Sequence, residues 1–244
     1  MQSWGLTDPG CVRKQNQDSY RIEQLDRGNL LCIVCDGMGG AKSGNIASSL
    51  AVDVFVEEVR RCWKPVMEQD KVDQMLRSAV KLANFTVYDQ SRQFEEFDGM
   101  GTTLVAALVT DQACHVINVG DSRAYLAGAQ GLRQISRDHS LVEDMVEKGD
   151  LTPGQARSHP RRNLITRALG PDPAVEADDF AIQWKAGDFL LLCSDGLVNT
   201  VTDQEIMFEI LHNGQPEDCL QRLMAISKQR GAPDNVTAIL LMND

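Results

Sequence analysis

The sequence predicts an α+β fold in which mainly antiparallel sheets carry helices on their outer faces. Short runs rich in Val, Ile, Leu and Thr predict the strands, and longer amphipathic segments predict the helices. The helices come in adjacent pairs and the strands in meanders, which argues against the regular alternation of a parallel sheet. Because no linker rich in Ser, Gly or Pro divides the 244 residues, we expect one domain over residues 1–244.

The composition and net charge limit the kinds of binding partner and the cellular compartment that we expect. A net charge of −11 argues against nucleic acid. No apolar run approaches the length of a membrane span, and the N-terminus lacks the features of a secretion signal, so we expect a cytoplasmic chain without membrane contact. Seven cysteines fit reduced thiols. Cys32 and Cys35 form a Cys-x-x-Cys motif, but residues three apart on a strand point to opposite faces, so we expect two core residues and no zinc site.

Four aspartates lie at the ends of predicted strands. They are Asp36 after the run from Leu30, Asp121 after Cys114 to Val119, Asp195 after Phe189 to Cys193, and Asp234 before Val236 to Met242. One Asp-Gly pair alone is typical of an ordinary turn. Four carboxylates at corresponding strand ends need compensation for their removal from water, and hard oxygen ligands suit Mg²⁺ or Mn²⁺. The pattern therefore favours a divalent metal site.

Helical periodicity follows the first of these strands. A helix after Gly40 is predicted to bury Ile46, Leu50, Val54 and Val59. A second helix over residues 71–93 is predicted to bury, among others, Leu82. Strands are then predicted at Thr102 to Thr110, Gln112 to Val119 and Ser122 to Leu126.

The C-terminal third contains three further strands and two helices. Phe180 to Trp184 and Phe189 to Cys193 are predicted to form a hairpin through residues 185–188. Helices are predicted near residues 203–212 and 216–229, before a last strand at residues 236–242.

Residues 137–167 break this regular pattern and predict an inserted flap with a short helix. The flap carries Arg157, Arg161, Arg162 and Arg167 with no acidic residue between them. This basic patch in an acidic chain is suited to a phosphorylated partner. A solvated loop face explains the same residues equally well.

The N-terminal segment contributes two more candidates. Arg13 offers a planar fork that binds phosphate or carboxylate through two bonds, and the Asp18 carboxylate suits a metal-bound water. A solvated surface arginine is the alternative for Arg13.

Taken in order, these motifs resemble those of metal-dependent Ser/Thr protein phosphatases of the protein phosphatase 2C type. The motifs are Arg13, Asp18, Asp36-Gly37, Gly120-Asp121-Ser122-Arg123, Asp195-Gly196 and Asp234-Asn235. The match covers nearly the whole chain, and the stretch from Asp36 to Gly40 is similar to the bacterial branch. The resemblance implies a four-layer αββα sandwich, with two central antiparallel sheets between helix pairs.

The resemblance also implies roles for individual residues and two or three Mn²⁺ or Mg²⁺ ions. The implied metal ligands are Asp36 bridging two ions, the Gly37 carbonyl, Asp195 with Asp234, and Asp121 with Asp195 at a third ion. Asp18 would hold a metal-bound water, and Arg13 would bind the substrate phosphate. The implied reaction is hydrolysis of phosphoserine and phosphothreonine by a metal-bridging hydroxide, without a covalent enzyme intermediate.

Three positions depart from the family pattern. Met38 stands where the eukaryotic branch usually has His, Gln17 where Glu is frequent, and Asn45 where bacterial relatives often carry Glu. No general acid is therefore identified. His139 and His159 in the flap are candidate acids, but a solvent-facing structural role is favoured for each. The implied partners are phosphorylated proteins, including a cognate Ser/Thr kinase, and we expect a monomer.

Two other functions are weaker. A P-loop needs Gly directly before its Lys, whereas Ala41 precedes Lys42. A phosphoprotein-binding adaptor would not need the complete set of strand-end aspartates.

Overall fold

The structure, a computed structural model, describes residues 1–110 and 113–244, apart from the side chains of residues 40–42. The strands are β1 Gln2–Asp8, β2 Asp18–Asp26, β3 Asn29–Met38, β4 Gly101–Thr102, β5 Leu104–Val109, β6 Cys114–Val119, β7 Arg123–Gly128, β8 Gly131–Gln134, β9 Asp178–Ile182, β10 Phe189–Cys193 and β11 Val236–Met242. The helices are α1 Gly40–Cys62, α2 Gln69–Gln93, α3 Leu141–Glu147, α4 Pro153–Arg157, α5 Asp195–Val198, α6 Asp203–Leu211 and α7 Cys219–Gln229.

The strands form two sheets in which neighbouring strands are antiparallel. One sheet has the order β1-β11-β10-β7-β8, and the other has the order β2-β3-β5-β6-β9 with β4 paired to β3. One apolar cluster fills the space between the sheets, a second lies under α1 and α2, and a third lies under α5, α6 and α7. The predicted αββα sandwich is therefore confirmed.

Strand β3 shows how the sequence builds these layers. Leu31, Ile33 and Cys35 pack towards α1 and α2, whereas Cys32 and Val34 pack between the sheets. Both faces of β3 are buried, which explains why its sequence is apolar without alternation. Cys32 and Cys35 thus lie in different clusters, as the alternation of a strand predicts.

Two predictions of helix faces were wrong in detail. In α1 the fully buried side chains include Ala47, Ala51 and Phe55, and the predicted Ile46 is only partly buried. Small alanines let α1 approach the sheet, so the buried face is centred one residue further along. In α2, Leu82 is 42% exposed because the helix turns its Ala79 and Ala83 face inwards.

The predicted hairpin between residues 180 and 193 was also wrong. The turn is present, since Asp188 N–H donates to the Lys185 carbonyl (2.9 Å). However, β9 pairs with β6, while β10 pairs with β7 and β11 in the other sheet. A turn signal does not specify which sheet the next strand joins. The predicted strand over residues 102–110 is divided at Thr103, and Gln112 lies outside the described residues.

The predicted strands at residues 189–193 and 236–242 have the observed bounds, and α6 and α7 lie near their predicted positions. The flap, residues 137–167, contains α3 and α4 and closes through a bridge between Ser140 and Ile165. Among the described helices, none combines the length and hydropathy needed to cross a membrane.

Candidate active site

A cleft of about 790 Å³ opens where the four strand-end aspartates meet. Asp36 and Asp121 come from the end of β3 and the turn after β6, in one sheet. Asp195 and Asp234 come from the other sheet, after β10 and before β11. Arg13 also lines the cleft. The structure therefore brings together candidates that are up to 221 residues apart in the sequence.

The backbone holds Asp36 at the base of this cleft. Its N–H donates to Thr103 Oγ1 (2.9 Å), and its carbonyl accepts from the Thr103 N–H (2.9 Å) and from Thr102 Oγ1 (2.9 Å). Thr103 Oγ1 lies 2.7 Å from Ser122 Oγ, which ties the end of β3 to the turn that carries Asp121. These bonds fix the position of the carboxylate without neutralising it.

The carboxylates raise one another's pKa values. Removal from water raises the pKa of Asp36 well above its usual range, and the nearby charges of Asp18 and Asp195 raise it further. Burial raises the pKa of Asp121 to about 8, with Asp195 as the next cause. Burial also raises the pKa of Asp195, with the nearby charge of Asp234 as the next cause.

Asp18 lies directly across from Asp36 in the β2–β3 pairing, but it does not line the cleft. Its Oδ2 accepts a hydrogen bond from Ser194 Oγ (2.8 Å), which joins it to the strand end that carries Asp195. Burial raises the pKa of Asp18 to about 6. Its other oxygen, Oδ1, is buried without a hydrogen-bond partner.

The cluster of Asp18, Asp36, Asp121, Asp195 and Asp234, called the carboxylate cluster below, fits divalent cations. Oδ1 of Asp18 and Oδ1 of Asp195 are both buried without a partner, which is costly unless a cation or water binds them. No three His, Cys, Asp or Glu side chains of the described residues converge closely enough to hold one ion. An ion here would therefore use one or two carboxylates together with carbonyl oxygens and water, as Mg²⁺ commonly does.

Arg13 is bonded to this cluster. Its Nη2 donates to Asp234 Oδ2 (2.7 Å), while half of its side chain stays exposed. A guanidinium has five N–H donors, so one bond to a carboxylate leaves others for a phosphate. Among the described residues that line the cleft, Arg13 and Lys14 are the only cations.

Asn235 holds the loop that carries Arg13. This buried side chain donates to the carbonyls of Pro9 and Gln15 (both 3.0 Å), and its Oδ1 accepts from the Gln17 N–H (2.8 Å). All of its hydrogen-bonding groups are thus used to join the N-terminal loop to the start of β11. The sequence motif included Asn235, but nothing local in the sequence indicated these three partners.

Close packing of the backbone around position 37 requires a glycine there. A Cβ at this position would lie 2.0 Å from the Gly44 carbonyl oxygen and 2.7 Å from that of Gln17. The glycine thus lets the start of α1 and the N-terminal loop meet beside Asp36. Thr103 was also missed as a site residue, because its role depends on the neighbouring strand.

His139 connects the flap to the turn before Asp121. The backbone N–H of His139 donates to the Gly120 carbonyl (2.9 Å), and its ring Nδ1 accepts from the Gly120 backbone N–H (3.1 Å). Its Nε2 lies 3.2 Å from Asp178 Oδ2, and Arg167 donates to Asp178 Oδ1 (2.8 Å). The ring is buried, so the expected solvent-facing position was wrong.

The flap contributes Asn163 and Ile165 to the cleft lining, whereas Arg157, Arg161 and Arg162 do not line it. Arg157 lies on α4 and donates to Asp203 Oδ2 (3.2 Å) at the start of α6. Arg161 and Arg162 are exposed, and no carboxylate of the described residues pairs with either of them. Of the predicted basic patch, Arg157, Arg161 and Arg162 are therefore exposed outside the cleft, whereas Arg167 is paired with Asp178.

The chain is similar in sequence to a described protein family and to several characterised proteins. The family model described as protein phosphatase 2C matches residues 12–240. The chain is 35% identical over 242 residues to the serine/threonine phosphatase stp of Listeria monocytogenes, covering 98% of this chain and 94% of that protein. It is 36% identical over 242 residues to the protein phosphatase PhpP of Streptococcus pneumoniae, covering 98% and 96%.

The fold is similar to that of solved structures. The crystal structure of the serine/threonine phosphatase Stp1 from Staphylococcus aureus superposes with a TM-score of 0.93 at 37% identity, covering 99% of this chain and 94% of that one. A serine/threonine phosphatase of Mycobacterium tuberculosis superposes with a TM-score of 0.87 at 32% identity, covering 100% and 99%.

Proposed function

The chain belongs to the protein phosphatase 2C family of serine/threonine protein phosphatases, and from this premise we propose how its own residues hydrolyse phosphoserine and phosphothreonine in proteins. The observation that carries the proposal is the convergence of four strand-end aspartates and Arg13 on one cleft. The family is metal-dependent, and the partnerless oxygens of Asp18 and Asp195 support a cation at this place.

We assign the metal ligands within the carboxylate cluster. Asp36, the Gly37 carbonyl, Asp195 and Asp234 would hold two Mn²⁺ or Mg²⁺ ions, and Asp121 with Asp195 would hold a third. When bound, such ions polarise phosphoryl oxygens and activate a water at neutral pH. Asp18 would hold a metal-bound water, since its Oδ1 is available for a further hydrogen bond.

Arg13 would exchange part of its contact with Asp234 for the substrate phosphate. A bidentate guanidinium contact orients the phosphoryl group as well as attracting it. Neither His139 nor His159 is among the described residues lining the cleft, so neither is proposed as the acid that protonates the leaving oxygen.

We further propose that the substrates are phosphorylated proteins of the cytoplasm, including a cognate Ser/Thr kinase, and that the chain acts as a monomer. Arg161 and Arg162, which have no ion-pair partner among the described residues, would attract acidic regions of such proteins. Arg157 would contribute less because Asp203 already pairs with it.

Hydrolysis of a phosphothreonine peptide in Mn²⁺, in Mg²⁺ and in excess chelator tests the proposal directly. We expect phosphate release with either metal and none with chelator. ATP offered under the same conditions tests nucleotide hydrolysis, and peptide binding without turnover would instead favour an adaptor. Full activity in chelator would contradict the assigned role of the carboxylate cluster.

A further inference from the structure

A second groove, of about 380 Å³, runs beside the cleft. Met38 and Ile165 line both spaces, so the groove and the cleft adjoin each other. The rest of the groove wall comes from residues between 166 and 176, at the end of the flap and directly after it. This space is called the side groove below.

The wall of the side groove is fixed to the sandwich. Asn84 of α2 is buried, and its Nδ2 donates to the Asp172 carbonyl (3.0 Å) while its Oδ1 accepts from the Gly170 N–H (2.9 Å). Leu169 exchanges two backbone hydrogen bonds with Thr102 (3.0 and 2.9 Å). A Cβ on Gly170 would lie 2.6 Å from a methyl of Val87, so this segment packs closely on α2. The groove is therefore formed before any ligand binds.

The charges of the side groove are mostly negative. Arg167 is already paired, since it donates to Asp178 Oδ1 (2.8 Å) and to the Glu176 carbonyl (3.2 Å). Asp172 and Glu176 are exposed, and no cation of the described residues forms an ion pair with either carboxylate. The groove thus offers two uncompensated negative charges.

Apart from Thr166, which adds a hydroxyl group, the other lining residues are apolar. They are Met38, Ile165, Ala168, Pro171, Ala174 and Val175. Apolar walls beside carboxylates suit a long side chain with an aliphatic stem and a cationic end, because Lys and Arg bury their stems and keep the charge at polar groups.

We propose that the side groove is a substrate subsite, and that it takes a lysine or arginine next to the phosphorylated residue. This inference rests on the proposed function. Because the groove adjoins the cleft, its occupant would be a neighbouring residue of the same phosphopeptide: the phosphate lies in the cleft and the basic side chain lies in the groove. A basic neighbour also offsets the repulsion between a phosphopeptide and a chain of net charge −11.

Matched phosphothreonine peptides test the subsite. One lysine, glutamine or glutamate is moved through the flanking positions of an otherwise alanine-rich peptide, and kcat/KM is measured for each. At one flanking position we expect lysine to exceed glutamine by roughly two- to fivefold at low salt, as for an exposed ion pair. The preference should shrink as salt rises, because exposed charges are screened.

The double variant Asp172→Asn with Glu176→Gln should remove the lysine preference and leave hydrolysis of a small aryl phosphate unchanged. The matched control is Glu217→Gln with Asp218→Asn, which removes the same two charge types from a 3-10 helix that lines neither space. This control should keep the preference.

The outcomes separate the two proposals. If the aryl phosphate is not hydrolysed with metal present, the proposed function fails. If it is hydrolysed but lysine, glutamine and glutamate peptides react alike at every position, the subsite is wrong. A loss with the aryl phosphate as large as that with the lysine peptide would also overturn it, because the two acids would then act on the cleft itself.

Discussion

The carboxylate cluster and the flap both carry many charges, but the protein treats these charges in opposite ways. In the cluster, like charges are held together by backbone bonds and strand pairing, and two carboxylate oxygens have no partner. In the flap, Arg137 pairs with Glu147, Arg157 with Asp203 and Arg167 with Asp178, and much of the surface is exposed. Negative charge is thus concentrated in the cluster, where Arg13 forms an ion pair with Asp234 alone, whereas the flap charges are paired or solvated.

This difference distinguishes charged residues that are positioned for catalysis from charged residues that only cover the protein surface. Repulsion between the like charges of the carboxylate cluster lowers the stability of the metal-free protein and increases the affinity of the cluster for cations. Exposed ion pairs contribute only about 0–1 kcal/mol each. The predictions below compare a change in the cluster with a matched change in the flap or elsewhere.

The largest contrast should come from removing one carboxylate. Asp36→Asn should lower kcat on phosphopeptide by on the order of a thousandfold, since losing several kcal/mol of metal-assisted stabilisation costs tenfold in rate per 1.4 kcal/mol. Asp150→Asn, which removes an exposed flap carboxylate, should leave kcat unchanged. Urea unfolding should show both variants folded. Near wild-type turnover of Asp36→Asn would contradict the role of the cluster.

A second contrast concerns pH and the chelated protein. The pKa of Asp18 is raised to about 6 and that of Asp121 to about 8. The folded chain therefore binds more protons than the unfolded chain, whose aspartates titrate near pH 3.9. Stability is present at low pH and is lost as pH rises through the folded values, so unfolding free energy should fall from about pH 5 to about pH 8.

The size of this fall should be a few kcal/mol, because one pKa unit corresponds to about 1.4 kcal/mol. Urea titrations of chelated protein at each pH measure it, and Asp18→Asn should reduce the slope. Saturating Mn²⁺ should reverse the trend, since the metal binds the deprotonated carboxylates. A chelated protein that becomes more stable over the same pH range would show that the cluster is compensated by groups within the protein.

The sequence predicted the cluster better than it predicted the surroundings. Asp36, Asp121, Asp195 and Asp234 were identifiable because a carboxylate next to an apolar run is a local signal. The sheet that β9 joins, the three partners of Asn235 and the pairing of Arg157 with Asp203 depend on contacts between residues distant in sequence. No short pattern specifies such partners, so these features required the structure.

Backbone packing gives a smaller contrast. Gly37→Ala should destabilise the protein by roughly 1–3 kcal/mol, because its Cβ would meet the Gly44 and Gln17 carbonyls beside Asp36. A Cβ added at Gly154 in α4 would meet no atom within 4 Å. Gly154→Ala should therefore be neutral or stabilise the protein by up to about 1 kcal/mol. Thermal unfolding of the two variants checks this order. Equal changes in melting temperature would mean that the backbone around Gly37 shifts to accept a Cβ as readily as α4 does.

The smallest effect is expected on the flap surface. Arg161→Gln with Arg162→Gln should slow hydrolysis of an acidic phosphoprotein by roughly two- to fivefold at low salt, because exposed charges interact weakly. Arg157→Gln should have less effect on the same substrate, since Asp203 already pairs with Arg157. Hydrolysis of a small aryl phosphate should not change, and the loss should disappear at high salt, where the screening length is about 3 Å.

An equal loss with both substrates would mean that the flap shapes the cleft, through Asn163 and Ile165 or through His139 and the turn before Asp121. No loss with either substrate would make the three arginines a solvated face and would confine the charges that act on substrate to the cleft and the side groove.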